Sequence, residues 1–226
     1  MRKLTALALI TCFLSCNLHP GSSNGTTYLR TVFWANSFGG SLDISWIYLG
    51  NDGTIVRDPK HGLDPVDMAA EKNDNAENAG TYKTEDDKLK ITWANGKTDE
   101  WSVEKKDGEI DAMDGGLVSV PEKFGSDDHI QGQFAATAFS PGFSNVQTMV
   151  FKKDGTFSLT SSNAVSNEVT TAYGESNQKG KYELNGNTIR LKFDNGNQTV
   201  ASIAHWKEAD GKLMLVINNN SFPQED

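Results

Sequence analysis

The chain of 226 residues has almost no cysteine to work with, since its two cysteines, Cys12 and Cys16, both fall within the first sixteen positions. The remainder has no thiol for a disulfide, a zinc site or a nucleophile, and its stability must come from burial. Histidine is scarce as well. His19, His61, His129 and His205 lie far apart in sequence, whereas a zinc site needs several ligands converging, so they read as structural or exposed residues and no metal is expected. Positive charge is in deficit, with 21 Lys and Arg against 30 Asp and Glu and a formal net charge of −9. That balance argues against nucleic acid as a partner, because affinity for that polyanion comes mainly from Lys and Arg neutralising phosphates. Beyond the N-terminal segment no apolar run approaches the roughly 20 residues of a membrane-spanning helix. A Gly-x-Ser-x-Gly elbow, a His-Glu-x-x-His pair, a phosphate-cradling glycine loop and a dinucleotide fingerprint are all missing. The chain is therefore read as not an enzyme, with no cofactor.

What is there begins with an export signal over residues 1–15. Arg2 and Lys3 form a basic start, and Leu4 to Ser15 form an apolar stretch too short to span a membrane but suited to a signal core. Loss of those two charges would take the body from −9 to −11. Phe13-Leu14-Ser15-Cys16 resembles the lipobox of bacterial lipoproteins, with Phe13 where Leu is common. The resemblance implies cleavage before Cys16, a diacylglycerol on its sulfur and an acylated amine, so that the partner is a membrane engaged through acyl chains. Residues 16–27, rich in Gly, Ser and Asn, suit a flexible tether. Asn17 is not the Asp that retains some lipoproteins at the inner membrane, which implies the outer membrane.

An internal repeat sets the architecture. Gly80-Thr81-Tyr82-Lys83 aligns without gaps over Gly180-Lys181-Tyr182-Glu183, and the match runs to Asn95-Gly96 over Asn195-Gly196. Leu89, Ile91 and Trp93 fall on Ile189, Leu191 and Phe193, in the period-two alternation of a half-buried strand. Asp52-Gly53-Thr54 aligns with Asp154-Gly155-Thr156, and Asp107-Gly108 with Asp210-Gly211. Two modules follow, residues 28–120 and 130–223, joined by a polar linker at 121–129. Asn-Gly and Asp-Gly pairs tolerate the positive φ of tight hairpins, so each module reads as an antiparallel β-meander of about six or seven strands. The fold class is all-β, as small barrels or sandwiches.

One long connection interrupts each copy. Pro59 to Ala79 is expected to hold one short helix, capped by Asp64 with Pro65 in its first position. Ser161 to Lys179 has no such cap and is expected to be a Ser- and Asn-rich loop. The ordering of aromatic strand, Asp-Gly-Thr hairpin, Gly-x-Tyr strand and Asn-Gly hairpin resembles the lipocalin-like domains of bacterial lipoproteins. That resemblance implies small calyx-like barrels able to take an apolar ligand.

Candidate sites are few. Trp93 occupies a core-facing strand position and Trp101 lies nearby in sequence; both would line an interior cavity if one exists. Trp34, with Phe33 and Phe38, reads as ordinary core, the alternative being an exposed aromatic platform for a sugar or a partner protein. Asn73, Asp74, Asn75 and Glu77 read as a solvated loop rather than a calcium site, as do Asp127, Asp128 and His129. The leading expectation is a lipid-anchored envelope protein acting as a non-enzymatic binding or interaction module, its partner an envelope protein or a small apolar molecule. The alternatives are a lipocalin-like carrier and a hydrolase using acids such as Asp64 and Asp67.

Overall fold

A computed structural model describes residues 24–36, 39–125, 127–140, 143–166 and 171–226. The chain forms two tandem antiparallel meanders of eight strands each. The first runs β1 (Gly25–Asn36), β2 (Gly39–Gly50), β3 (Thr54–Arg57), β4 (Ala79–Glu85), β5 (Lys88–Trp93), β6 (Thr98–Lys106), β7 (Glu109–Met113) and β8 (Gly116–Ser119). It closes where Leu29–Thr31 of β1 pair with Leu117–Ser119 of β8. The second runs β9 (Gly132–Ser140), β10 (Phe143–Phe151), β11 (Thr156–Ser166), β12 (Thr171–Asn185), β13 (Thr188–Phe193), β14 (Gln198–Lys207), β15 (Leu213–Ile217) and β16 (Asn220–Pro223). It closes only in part, through a bridge between Phe134 and Gln224.

The repeat survives at the level of single hydrogen bonds. Asp52 Oδ1 accepts from the amide and hydroxyl of Thr54, and Asp154 Oδ1 accepts from the same two groups of Thr156. Tyr82 N donates to Gly53 O and Tyr182 N to Gly155 O, each at 2.8 Å. Gly80 and Gly180 face the neighbouring strand so closely that a Cβ would sit 2.3 Å from Thr92 O and 2.0 Å from Lys192 O respectively.

The strand count exceeds expectation because two hairpins turn on residues other than Asn-Gly and Asp-Gly, and one Asp-Gly pair was not counted. Asp86 and Asn218 take positive φ without a following glycine, and the uncounted Asp114-Gly115 joins β7 to β8. The expected Ser161–Lys179 loop is overturned: β11 and β12 run through it and pair from Thr156↔Lys181 to Ser166↔Thr171. Ladders are made by the backbone, and Ser, Thr and Asn on both faces hid them from the hydrophobic pattern. The helix in the first long connection is α1 (Met68–Asp74), but its cap is Asp67, whose carboxylate accepts from Ala69 N and Ala70 N. Asp64 is used elsewhere.

Each barrel has its own apolar filling. Ile47, Leu49, Ile55, Leu89, Ile91, Trp93, Trp101, Val103 and Met113 fill the first. Phe134, Met149, Phe151, Phe157, Tyr182, Ile189, Leu191, Leu215 and Phe222 are central to the second. A third cluster joins the two. Ile44, Trp46 and Tyr48 alternate along β2 with the inward Ile47 and Leu49, so β2 is buried on both faces, and its outer row packs with Leu29 against Ala204 and Val216 of the second barrel. Polar contacts fix this seam. Trp46 Nε1 donates to Asn218 O at 2.6 Å, and Asn219 Nδ2 donates to Ile44 O at 2.7 Å. The loop after β3 clasps the second barrel, with Leu63 N and Asp64 N donating to Thr188 Oγ1 at 2.7 and 3.0 Å. Asp64 Oδ2 accepts from Asn187 N at 2.7 Å and Oδ1 pairs with Lys123. The polar connection between the barrels is docked as well, since Phe124 is buried in the second barrel's core and bridges Gly186.

Candidate functional site

Two projections extend beyond the barrels. β1 and β2 stay paired out to Asn36↔Gly39, whereas β8 supports β1 only at Leu29–Thr31 and β3 supports β2 only at Ile47–Leu49. The outer rungs therefore form a two-stranded arm roughly 15 Å long. The core reading of Phe33 and Trp34 is overturned. Phe33 is 69% exposed, Trp34 60% and Leu42 53%, because the arm has left the sheet that would have covered them. Phe33 stands opposite Leu42 on the face that continues the outer row of Ile44 and Trp46, and Trp34 lies on the other face. The second projection is a four-stranded blade, the distal parts of β9 to β12, which outruns β13 because β12 pairs with β13 only over Gly180–Asn185.

Between arm and blade lies a cleft of about 390 Å³. Its position follows from the incomplete closure of the second barrel. Continuing the Phe134↔Gln224 register would set Ala136 opposite Phe222 and Ala138 opposite Asn220, yet no pairing extends there. The opening is instead lined by Ala136, Thr137 and Ala138 of β9 and by Asn220 and Ser221 of β16. Asn145 and Gln147 of β10 lie beside Ala138 and Ala136 on the inner face, and Leu42 and Ile44 of the arm form the facing wall. Among the described residues that line it, none carries a charge. Asn145 donates to Asn163 Oδ1 at 2.7 Å and Asn219 is held in the seam.

Two further depressions follow the seam. A groove of about 550 Å³ runs along Leu29, Val120, Pro121, Ala204 and Trp206. Val120 and Trp206 are exposed there, at 62% and 40%. A smaller one, about 280 Å³, lies at Trp46, Asp58, Ser202 and Asn218. Asp58 Oδ1 accepts from Trp46 N at 2.9 Å and Asn219 Nδ2 at 3.2 Å, and burial raises its carboxyl above the ordinary value of 3.8 despite those bonds. On the surface turns the opposite holds. The Thr54 and Thr156 hydroxyls and amides hold the Asp52 and Asp154 carboxyls below that value.

Of the residues singled out from the sequence, Cys16 and Phe38 lie outside the described residues. Trp93 and Trp101 come together inside the first barrel, centroids 5.8 Å apart, with the Arg57 guanidinium 5.6 and 6.0 Å from the two rings. They pack with Leu89 as filling of a closed barrel and are not brought near Trp34. The Asp64 carboxylate is bound at the seam and that of Asp67 at the helix cap. Around α1, Asp74 Oδ2 meets His61 Nε2 at 3.0 Å, and Asn75 Nδ2 donates to the buried Glu71 at 3.0 Å. His205 stacks on Phe124 at 4.3 Å. Among the described residues no three His, Cys, Asp or Glu side chains converge as metal ligands. The reading of the sequence missed β16, Asn145, Gln147 and the double-sided burial of β2. The last was signalled by the consecutive apolar run Trp46-Ile47-Tyr48-Leu49, since a strand covered on both faces loses its alternation. No protein-family model, curated protein or solved structure matches the chain.

Proposed function

We propose that this is a lipid-anchored envelope protein that binds a partner or ligand without chemical conversion, using the cleft between arm and blade. The observation that carries the reading is the lateral opening of the second barrel, walled by an arm whose Phe33, Trp34 and Leu42 are exposed. Exposed apolar side chains grouped at the rim of a concavity are a usual mark of a binding surface. Eight-stranded meander barrels are the architecture of lipocalins, which supports a lipocalin-like descent. Here both interiors are occupied by aromatic and aliphatic side chains, so the binding surface moves outside them.

The anchor fits this orientation. Cys16 lies nine positions before Gly25, a reach of at most about 30 Å. β1 enters the barrel at Gly25 and reaches the tip of the arm at Asn36, twelve residues and roughly 40 Å along the strand. Acyl chains on Cys16 would hold one end of the body at the outer membrane and present the arm and cleft away from it. A second reading, a carrier of a small apolar molecule, is favoured by the groove at Trp206 and Val120.

Native mass spectrometry of the protein extracted gently from its own membrane tests the proposal. The expected spectrum shows diacylglycerol and acyl masses on Cys16 and a non-covalent adduct that Ala136→Trp, which fills the cleft, removes. An unacylated chain would overturn the anchor. An adduct kept by Ala136→Trp but lost from Trp206→Ala would move the site to the groove.

A further inference from the structure

The cleft exposes a strand edge, and from its hydrogen-bond geometry we infer that its ligand is an extended, uncharged polypeptide segment that adds to β9 as a further strand. This rests on the reading of the cleft as the binding site and names what enters it. The inference starts at the bridge. Glu225 N donates to Gln133 O at 2.8 Å, so the carbonyl of Gln133 points toward β16. In an antiparallel ladder the direction repeats every second residue, and the β9–β10 register is unbroken from Gly132 to Ser140. The N–H and C=O of Thr137 therefore point into the opening, not toward β10. The same alternation applies to β16, where Gln224 N donates back to Leu213 O, leaving the backbone of Ser221 turned toward β9. Both walls of the cleft thus offer backbone donors and acceptors where the barrel stops pairing.

Natural sheets protect such edges with charge, proline or a covering element. β9 has none of the first two along Ala135-Ala136-Thr137-Ala138, and the open space beside it is real. Small side chains there let another backbone approach closely. Strand addition draws affinity from main-chain bonds and selectivity from pockets for alternate side chains. The pockets here are apolar at Leu42 and Ile44 and amide-bearing at Gln147 and Asn220. A charged side chain entering an uncharged cleft would lose hydration without a partner, so the segment is uncharged where it is enclosed.

A displayed library of uncharged heptapeptides, selected against the purified full chain, tests this. Selected peptides are expected to lose affinity about tenfold or more, the effect of one or two backbone hydrogen bonds, when alternate amides are N-methylated. Thr137→Pro is expected to cause a similar loss. Proline at 137 removes only the N–H that faces the opening and leaves the ladder to β10 intact, and the hydrogen-exchange protection of β10 confirms that the variant folds. Equal binding by the N-methylated peptides or by Thr137→Pro, or no peptide enriched over the Thr137→Pro background, would overturn the inference. A native adduct that Ala136→Trp removes, but that is a neutral oligosaccharide or another non-peptide, would leave the cleft as the site and reject the peptide alone.

Discussion

At the scale of single residues, the glycines of the repeat and one acid at the seam carry distinct predictions. Gly80 and Gly180 lie against backbone of the adjoining strand, so Gly80→Ala or Gly180→Ala must push strands apart and is expected to cost about 3 kcal/mol. Gly96→Ala meets open space and pays only for its positive φ of 85°, about 1 kcal/mol. Urea unfolding of the three variants checks the contrast. Asp58 has a raised carboxyl pKa, caused first by burial. A raised acid favours its protonated form in the folded state. Its contribution is fully present below 3.8, the ordinary value, and is lost as pH rises through the raised one. Asp58→Asn keeps an oxygen for Trp46 N and Asn219 and suits the φ of 48°. It is expected to gain up to about 1 kcal/mol on the wild type at pH 7 and nothing at pH 3. Denaturation at the two pH values decides.

At the scale of elements, the exposed arm and the double-sided strand it grows from respond differently to truncation. Phe33→Ser and Leu42→Ser remove no buried contact and should leave stability within about 0.5 kcal/mol. Trp46→Ala, four rungs further in, empties the seam and should cost about 4 kcal/mol. Thermal melts of the purified variants measure both. Much of this level was legible in the sequence. Asp52-Gly53-Thr54, Gly80-Thr81-Tyr82 and Asn95-Gly96, with their second copies, located hairpins because positive φ narrows the choice of residue. The arm was not legible. Phe33 and Trp34 look like core residues in any strand, and only the point at which β8 stops pairing with β1 exposes them. Ser161–Lys179 misled for the converse reason, since a ladder needs no apolar side chain.

At the scale of the whole molecule, the seam makes one body of two barrels. Leu29, Ile44 and Trp46 meet Ala204 and Val216, and the loop carrying Leu63 and Asp64 is held on Thr188. Calorimetry is expected to show one cooperative transition for the wild type. Thr188→Val with Leu63→Ala, which strands two amide donors and opens the apolar contact, is expected to separate it into two. Two transitions in the wild type would show that the barrels are energetically independent. The candidate site belongs to this scale and so lay beyond sequence patterns. Its walls come from β2, β9, β10 and β16, distant along the chain, and its opening exists because β16 meets β9 at a single bridge.

The central claim, that ligand enters the opening between arm and blade, is tested most directly by hydrogen exchange on the membrane-extracted protein before and after its bound material is stripped. Removal is expected to raise exchange in three places together: Phe33 to Asn36 and Gly39 to Ile44 of the arm, Ala135 to Ala138 of β9, and Asn219 to Ser221 at β16, with the two barrel cores unchanged. A change confined to the groove around Val120 and Trp206, or no change in β9, would contradict it.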